Sequence, residues 1–310
     1  SGITASNKTY DANTVATLDL TGTSYSGLVS GDDISISATG TFDNKNVGTG
    51  KTVNISSSYS GTDVGNYTIT DQSSTTANIT ASVSGITIRG ITANNKNYDG
   101  NTSATLDTSN VSYSGLVAGD DVTGSFSGTF SNSNVGSNKT VNINSSYSGA
   151  DVGNYTITDQ STTTGNIIAK TLTASTSASN KTYNGNTSAT VTLSFSGLIG
   201  SETLGQSVTA AFNNKNVGTG KTVTVNSITL SDGSNGGLAS NYTISAGQTT
   251  TANITAKALT VSGITASNKT YDADTNATID IGSVSYSGLV SGDNFSVFAS
   301  GAFDNKNVGT

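Results

Sequence analysis

The chain has 310 residues with no Pro, Cys, Met, Trp or His; only 11% are charged, and the net charge is −7. Without Cys there are no disulfides, thiolate metal sites or cysteine nucleophiles, and without His the commonest general base and transition-metal ligand are gone. Thirteen cations over this length do not make the basic patch that nucleic acid requires, and no apolar run approaches the roughly 20 residues of a membrane-spanning helix.

In chain order, the first legible phrase is NKTYDANTVATL at 7–18, and it returns as NKNYDGNTSATL at 95–106, NKTYNGNTSATV at 180–191 and NKTYDADTNATI at 268–279. Its tyrosines, Tyr10, Tyr98, Tyr183 and Tyr271, fall 88, 85 and 88 residues apart. Next comes SYSGL at 24–28, repeated at 112–116 and 285–289, with SFSGL at 194–198. KNVGTGKTV at 45–53 returns at 215–223 and as SNVGSNKTV at 133–141, while NYTI occurs at 66–69, 154–157 and 241–244. A fixed long period marks an array of like units. The period of about 87 residues gives repeats at 1–81 (first strand truncated), 82–169, 170–256 and a partial fourth at 257–310. The chain therefore reads as an excerpt from a longer array, with any signal, anchor and tip outside it.

Inside each unit the pattern has period two. Leu18 and Leu20, Ile34 and Ile36, Val53 and Ile55, and Tyr67 and Ile69 alternate with polar residues, as strands with one buried face do. Turn clusters (YDGNT, SGDD, DNKNVGTG, SGTDVGN) separate them. Six or seven short strands and no helical pattern predict an all-β chain: a tandem array of small antiparallel, Ig-like β-sandwiches forming an elongated rod. Each unit is expected to close its own thin core. The junctions Asn166–Leu172 and Asn253–Leu259 are short, whereas Thr80–Gly85 is two residues longer and is expected to bend most easily.

Taken together, N-K-x-Y-[DN]-G-N-T, the G-L-V-x-G-D turn, K-N-V-G-x-x-K-T-V and G-N-Y-T-I resemble the YDG repeat across the whole chain. That repeat occurs in tandem in very large secreted bacterial proteins, including filamentous-haemagglutinin-like, two-partner-secretion adhesins. The resemblance implies extracellular, cell-surface stalk modules and implies no ligand or activity. Ala12 and Ala273 depart from it by replacing the Gly of the name motif, and Asn184 replaces its Asp.

The expected function is therefore that of a structural spacer in a bacterial cell-surface adhesin or extracellular fibre, not an enzyme. Its partners would be neighbouring repeats, and like chains in a fibre or surface matrix, with neither nucleic acid nor membrane insertion. The alternative is a weak multivalent binding module for glycan, ice or self-association into a biofilm-matrix fibre.

Candidate sites are few. Asp32, Asp33, Asp120 and Asp121 are weak calcium candidates, set against a role as turn formers, since the third unit reads Ser201-Glu202 there. No other cofactor is implied. GTGKT at 48–52 lacks the first Gly of a phosphate loop, where Lys45 stands, and reads as a polar turn entering a strand. Lys51, Lys139 and Lys221 raise a Lys–Asn isopeptide crosslink, which needs a buried carboxyl that nothing in the sequence identifies. The repeat anchors are Tyr10, Tyr67, Tyr98, Tyr155, Tyr183, Tyr242 and Tyr271 with Phe42, Phe130, Phe212 and Phe303, read as core aromatics whose tyrosine hydroxyls find a capping partner.

Overall fold

The computed structural model describes residues 1–309, and among these there is no α-helix, only strands and three single 3₁₀ turns at Val64–Asn66, Val152–Asn154 and Ala239–Asn241. Among the described residues no helix is long and apolar enough to cross a membrane. The chain divides into two compact units, one over residues 1–168 and the other from Ala169 onward.

In the first repeat a five-stranded sheet runs in the order Lys8–Thr9, Ser74–Thr80, Gly48–Ser60, Ser35–Phe42, Val15–Ala16. Its backbone is the long hairpin in which Ser35 faces Ser60 and Phe42 faces Val53. Apolar residues at alternate positions point inward, so Phe42, Val53, Ala77 and Ile79 form a fully buried row, while the opposite face is Ser and Thr. Burial of each large member of that row contributes about 1.5–3 kcal/mol. The second and third repeats build the same five-stranded sheet around Phe130 and Val141, and around Phe212 and Val223.

The expectation of a purely antiparallel module fails in the five-stranded sheet of every complete repeat. Lys8–Thr9 pairs parallel with Ile79–Thr80, Lys96–Asn97 with Ile167–Ile168, and Lys181–Thr182 with Ile254–Thr255. Each of these short strands lies at the sheet edge beside the last strand of its repeat and runs in its direction.

A second layer covers the open side of the sheet. In the second repeat, Ser82–Arg89 lies between Ser112–Ser114, antiparallel, and Tyr155–Thr158, parallel. Here the two extra junction residues do not form a bending linker. They are absorbed as a bulge between the Tyr155↔Ser82 and Ile157↔Ile86 pairs, with Val83 thrown out to solvent and Gly85 at φ 56°. A Cβ on Gly85 would sit 2.7 Å from the carbonyl oxygen of Thr156, so only glycine fits the bulge.

The repeats of the first unit do not close their cores separately. One buried apolar cluster runs from Phe42, Val53 and Ile79 through Tyr10 to Tyr155, Ile86 and Ile88 of the next repeat. With about 87 residues and no disulfide, one repeat buries too little surface alone, and the shared cluster enlarges it.

The opening phrase is explained by local chemistry. Lys8 Nζ donates to Asn13 Oδ1 at 2.9 Å and to the Val15 carbonyl at 3.1 Å, pairs with Asp11 at 2.7 Å, and lies 6.0 Å from the centroid of the Phe42 ring. Lys96, Lys181 and Lys269 repeat the cation–ring contact with Phe130, Phe212 and Phe303. The name-motif glycines Gly100 and Gly185 sit at φ 77° and 79°, and Ala12 is held in the same left-handed region at φ 62°. Ala12→Gly should therefore raise the stability of residues 1–168 by roughly 0.5–1 kcal/mol, read from denaturant midpoints at an unchanged slope; destabilisation would contradict the strain.

Candidate functional site: the junction between repeats one and two

Each complete repeat carries a tyrosine brace. Tyr67 Oη donates to Asp32 Oδ2 at 2.5 Å and accepts the Val29 N–H at 3.0 Å. Tyr155 Oη does the same with Asp120 Oδ2 at 2.5 Å and the Val117 N–H at 3.2 Å. In the third repeat Tyr242 Oη donates to Glu202 Oε2 at 2.6 Å and accepts the Ile199 N–H at 3.0 Å. Glu202 thus fills the role of Asp32 and Asp120, and the departure in the third unit keeps the carboxylate where the tyrosine needs it.

The second acid of each pair serves the turn itself. The N–H of Asp33 donates to Asp63 Oδ2 at 2.9 Å, and that of Asp121 to Asp151 Oδ2 at 3.0 Å. Among the described residues no three His, Cys, Asp or Glu side chains are grouped to hold a metal ion. Both oxygens of Asp120 are engaged by protein donors.

What engages Asp120 comes from two repeats. Tyr10 Oη, from the first, donates to Asp120 Oδ2 at 2.7 Å, on the same oxygen as Tyr155. Lys45, also from the first, pairs with Asp120 Oδ1 at 2.5 Å and with Asp151 Oδ1 at 3.1 Å. The Asp120 side chain is 2% exposed, that of Asp151 10% and that of Lys45 33%. The rings of Tyr10 and Tyr155 meet edge to face at 5.5 Å, and Lys45 Nζ stands 5.9 Å from the Tyr10 ring centre. Beside this group the KNV word docks on the 3₁₀ turn of the second repeat. The Val47 N–H donates to Asn154 Oδ1 at 3.0 Å, and Asn154 Nδ2 donates to Asn46 Oδ1 at 3.2 Å.

The electrostatics follow from the geometry. Burial pushes the Asp120 carboxyl up, but hydrogen bonds from Lys45, Tyr155 and Tyr10 outweigh it and hold the group below its ordinary value. Tyr155 is pushed up to about 12, first by burial and then by its bond to Asp120. Tyr10 rises through burial and the same carboxylate, with Lys45 opposing. Lys45 is held above its ordinary value by its bonds to Asp120, Asp151 and Tyr10.

Within the second unit the same pairing recurs between the third and fourth repeats: Tyr183 Oη donates to Asp293 Oδ1 at 2.9 Å, and Lys215 lies 3.7 Å from that oxygen. The partner of the opening tyrosine is thus 110 residues downstream in both cases. Sequence reasoning placed a capping partner on these hydroxyls but not in the neighbouring repeat, and it missed Lys45 altogether. The available signal was Lys45 returning as Lys215 and Lys306 while Ser133 takes its place in the second repeat.

The other anchors fall as follows. Tyr98, Tyr242, Phe130 and Phe212 are buried, and Tyr67 and Tyr183 are half-buried. Tyr271 is 57% and Phe303 38% exposed. GTGKT is a β-bulge: Gly50 at φ 60° donates its N–H to Asn78 Oδ1 at 2.7 Å, and Asn138 and Gly220 repeat the conformation. Lys51, Lys139 and Lys221 donate to Asn44, Asn132 and Asn214, with no buried carboxyl beside them.

Residues 1–77, 83–164, 168–252 and 255–310 each match the YDG domain. No curated protein matches the chain at a significant level.

Proposed function

The chain belongs to the YDG-domain family, and from that premise we propose that it is a structural spacer. Its repeats would be Ig-like modules stacked as an elongated stalk in a secreted bacterial cell-surface adhesin or extracellular fibre. The observation that carries this reading is the Tyr10–Lys45–Asp120–Tyr155 junction. A buried carboxylate shared by two repeats resists bending and twisting, because any relative motion strips donors from an ion with no water to replace them. A spacer needs that property and a catalyst does not. Small-angle scattering on arrays of increasing repeat number tests it. The maximum dimension should grow linearly, by about 30 Å per repeat for strands of eight to ten residues; a compact particle would refute it.

A weak multivalent binding role is the second reading. It rests on the exposed hydroxyl rows of the long hairpins, where Ser37 and Ser58 meet at 2.7 Å and Thr209 and Ser227 at 2.6 Å. Many shallow polar sites in series gain avidity. A glycan array and an ice-affinity assay that both stay silent with a long array would eliminate it.

A further inference from the structure

Beyond stiffening the stalk, the junction has the parts of a covalent bond-forming site. We propose that Lys45 and Asp120 condense into an isopeptide bond joining the first and second repeats, with Asp151 carrying the proton. This inference rests on the junction geometry and stands whether or not the spacer reading holds.

The two oxygens of Asp120 are placed for different fates. Oδ2 receives the hydroxyls of both Tyr10 and Tyr155, at 2.7 and 2.5 Å, so two fixed donors await the charge that builds on it when the carbonyl carbon is attacked. Oδ1 faces Lys45 Nζ at 2.5 Å and is the oxygen free to leave. Asp151 Oδ1 stands 3.1 Å from the same nitrogen. Its carboxylate is fixed by the Asp121 N–H on Oδ2, at 3.0 Å, and by Asn154 Nδ2 on Oδ1, at 3.2 Å.

An ammonium is no nucleophile, and a carboxylate is a poor electrophile. In water the pair stays ionic. Here the pair also starts ionic, but burial beside a pair of aromatic rings and a second carboxylate on the same nitrogen hold the reacting groups in contact and give a proton a place to go. The step balances within the pair. Asp151 takes one proton from Lys45, the free amine attacks the Asp120 carbonyl carbon, and the new N–C bond forms as the bond to Oδ1 breaks. Two of the three ammonium protons leave with Oδ1 as water, and one remains on the amide. No oxidant, metal or cofactor enters. Fixed proximity replaces the activation that peptide synthesis otherwise requires, and the one-third-exposed lysine side gives the water a way out.

Other lysines lack one part or another. Lys8 and Lys96 rest on half-exposed aspartates of their own turns, and Lys51 on the exposed Asp43. Lys215 is 3.7 Å from Asp293, whose side chain is 25% exposed. One bond is therefore expected among residues 1–168.

The test is the intact mass of the full chain under denaturing conditions, followed by tryptic mapping. The purified protein, held near neutral pH, should become lighter by one water. Cleavage after Lys45 should disappear, and a branched peptide should join Lys45 to the segment containing Asp120. Lys45→Arg, which keeps the cation but cannot make the bond, should retain full mass, and Asp151→Asn should slow the loss about 100-fold. Full mass with normal cleavage after Lys45 in the folded wild-type chain overturns the proposal. So does a water loss that maps elsewhere or persists in Lys45→Arg. The wild-type branched peptide decides the matter even if a variant fails to fold.

Discussion

Asp120→Ala should lower the stability of residues 1–168 by about 3–5 kcal/mol, the usual cost of removing one partner of a buried ion pair. The substitution strands the hydroxyls of Tyr10 and Tyr155 inside the junction and leaves Lys45 facing only Asp151. For a unit of this size that is a fall of roughly 10 °C or more in melting temperature. The transition should also change character, because the apolar cluster through Tyr10 and Tyr155 links the two repeats. A single unfolding event should split into two. Asp32→Ala removes the same brace where only Tyr67 and one turn depend on the carboxylate, and its effect should be clearly smaller. If the two variants lose equal stability, the junction adds nothing to the brace.

Wherever Asp120 keeps its carboxyl, the same residue sets a pH dependence whose sign is fixed. The folded Asp120 carboxyl lies below its ordinary value of 3.8, so its contribution is complete above that pH and is lost as pH falls through the depressed value. On the alkaline side, Tyr155 contributes fully below 10.0 and ceases to do so as pH rises through about 12. Between these limits the junction should be insensitive to pH. Unfolding of wild type and Asp120→Ala across pH 2 to 6 should converge at the acid end.

Phe42→Ala should cost about 3–5 kcal/mol through loss of buried area and the cavity left behind. The ring is fully buried against Val53, Ala77 and Ile79, side chains too small to fill the space, and Lys8 Nζ loses its 6.0 Å ring contact. Phe303→Ala, at the matching position of the fourth repeat, should cost under about 1 kcal/mol, since a ring 38% exposed gives up little. Chemical denaturation of the two variants side by side checks the contrast. Equal losses at the two positions would contradict the difference in burial.

The interior-facing rows were readable in advance because strand alternation is a local rule: Val53, Phe42 and Ile79 announce themselves by neighbours two residues away. The turn words were readable for the same reason. Lysine, aspartate and asparagine within six residues of one another settle their own geometry, as at Lys8, Asp11 and Asn13. Strand direction was not local. Whether Lys8–Thr9 pairs parallel or antiparallel depends on a strand 71 residues away. Nor could the sequence show that Thr80–Gly85 is taken up as a bulge, because the space for it is made by Tyr155–Thr158.

By itself, then, the sequence determined a helix-free, repeated β architecture and the aromatic positions around which each repeat folds, since these depend on periodicity and residue size. The tertiary structure alone decided what the charged words are for. Asp120 has the same neighbours in sequence as Asp32, yet only folding brings Tyr10, 110 residues upstream, and Lys45, 75 residues upstream, onto its two oxygens. A carboxylate's role is set by the donors and the dielectric that surround it, and both are properties of the assembled junction.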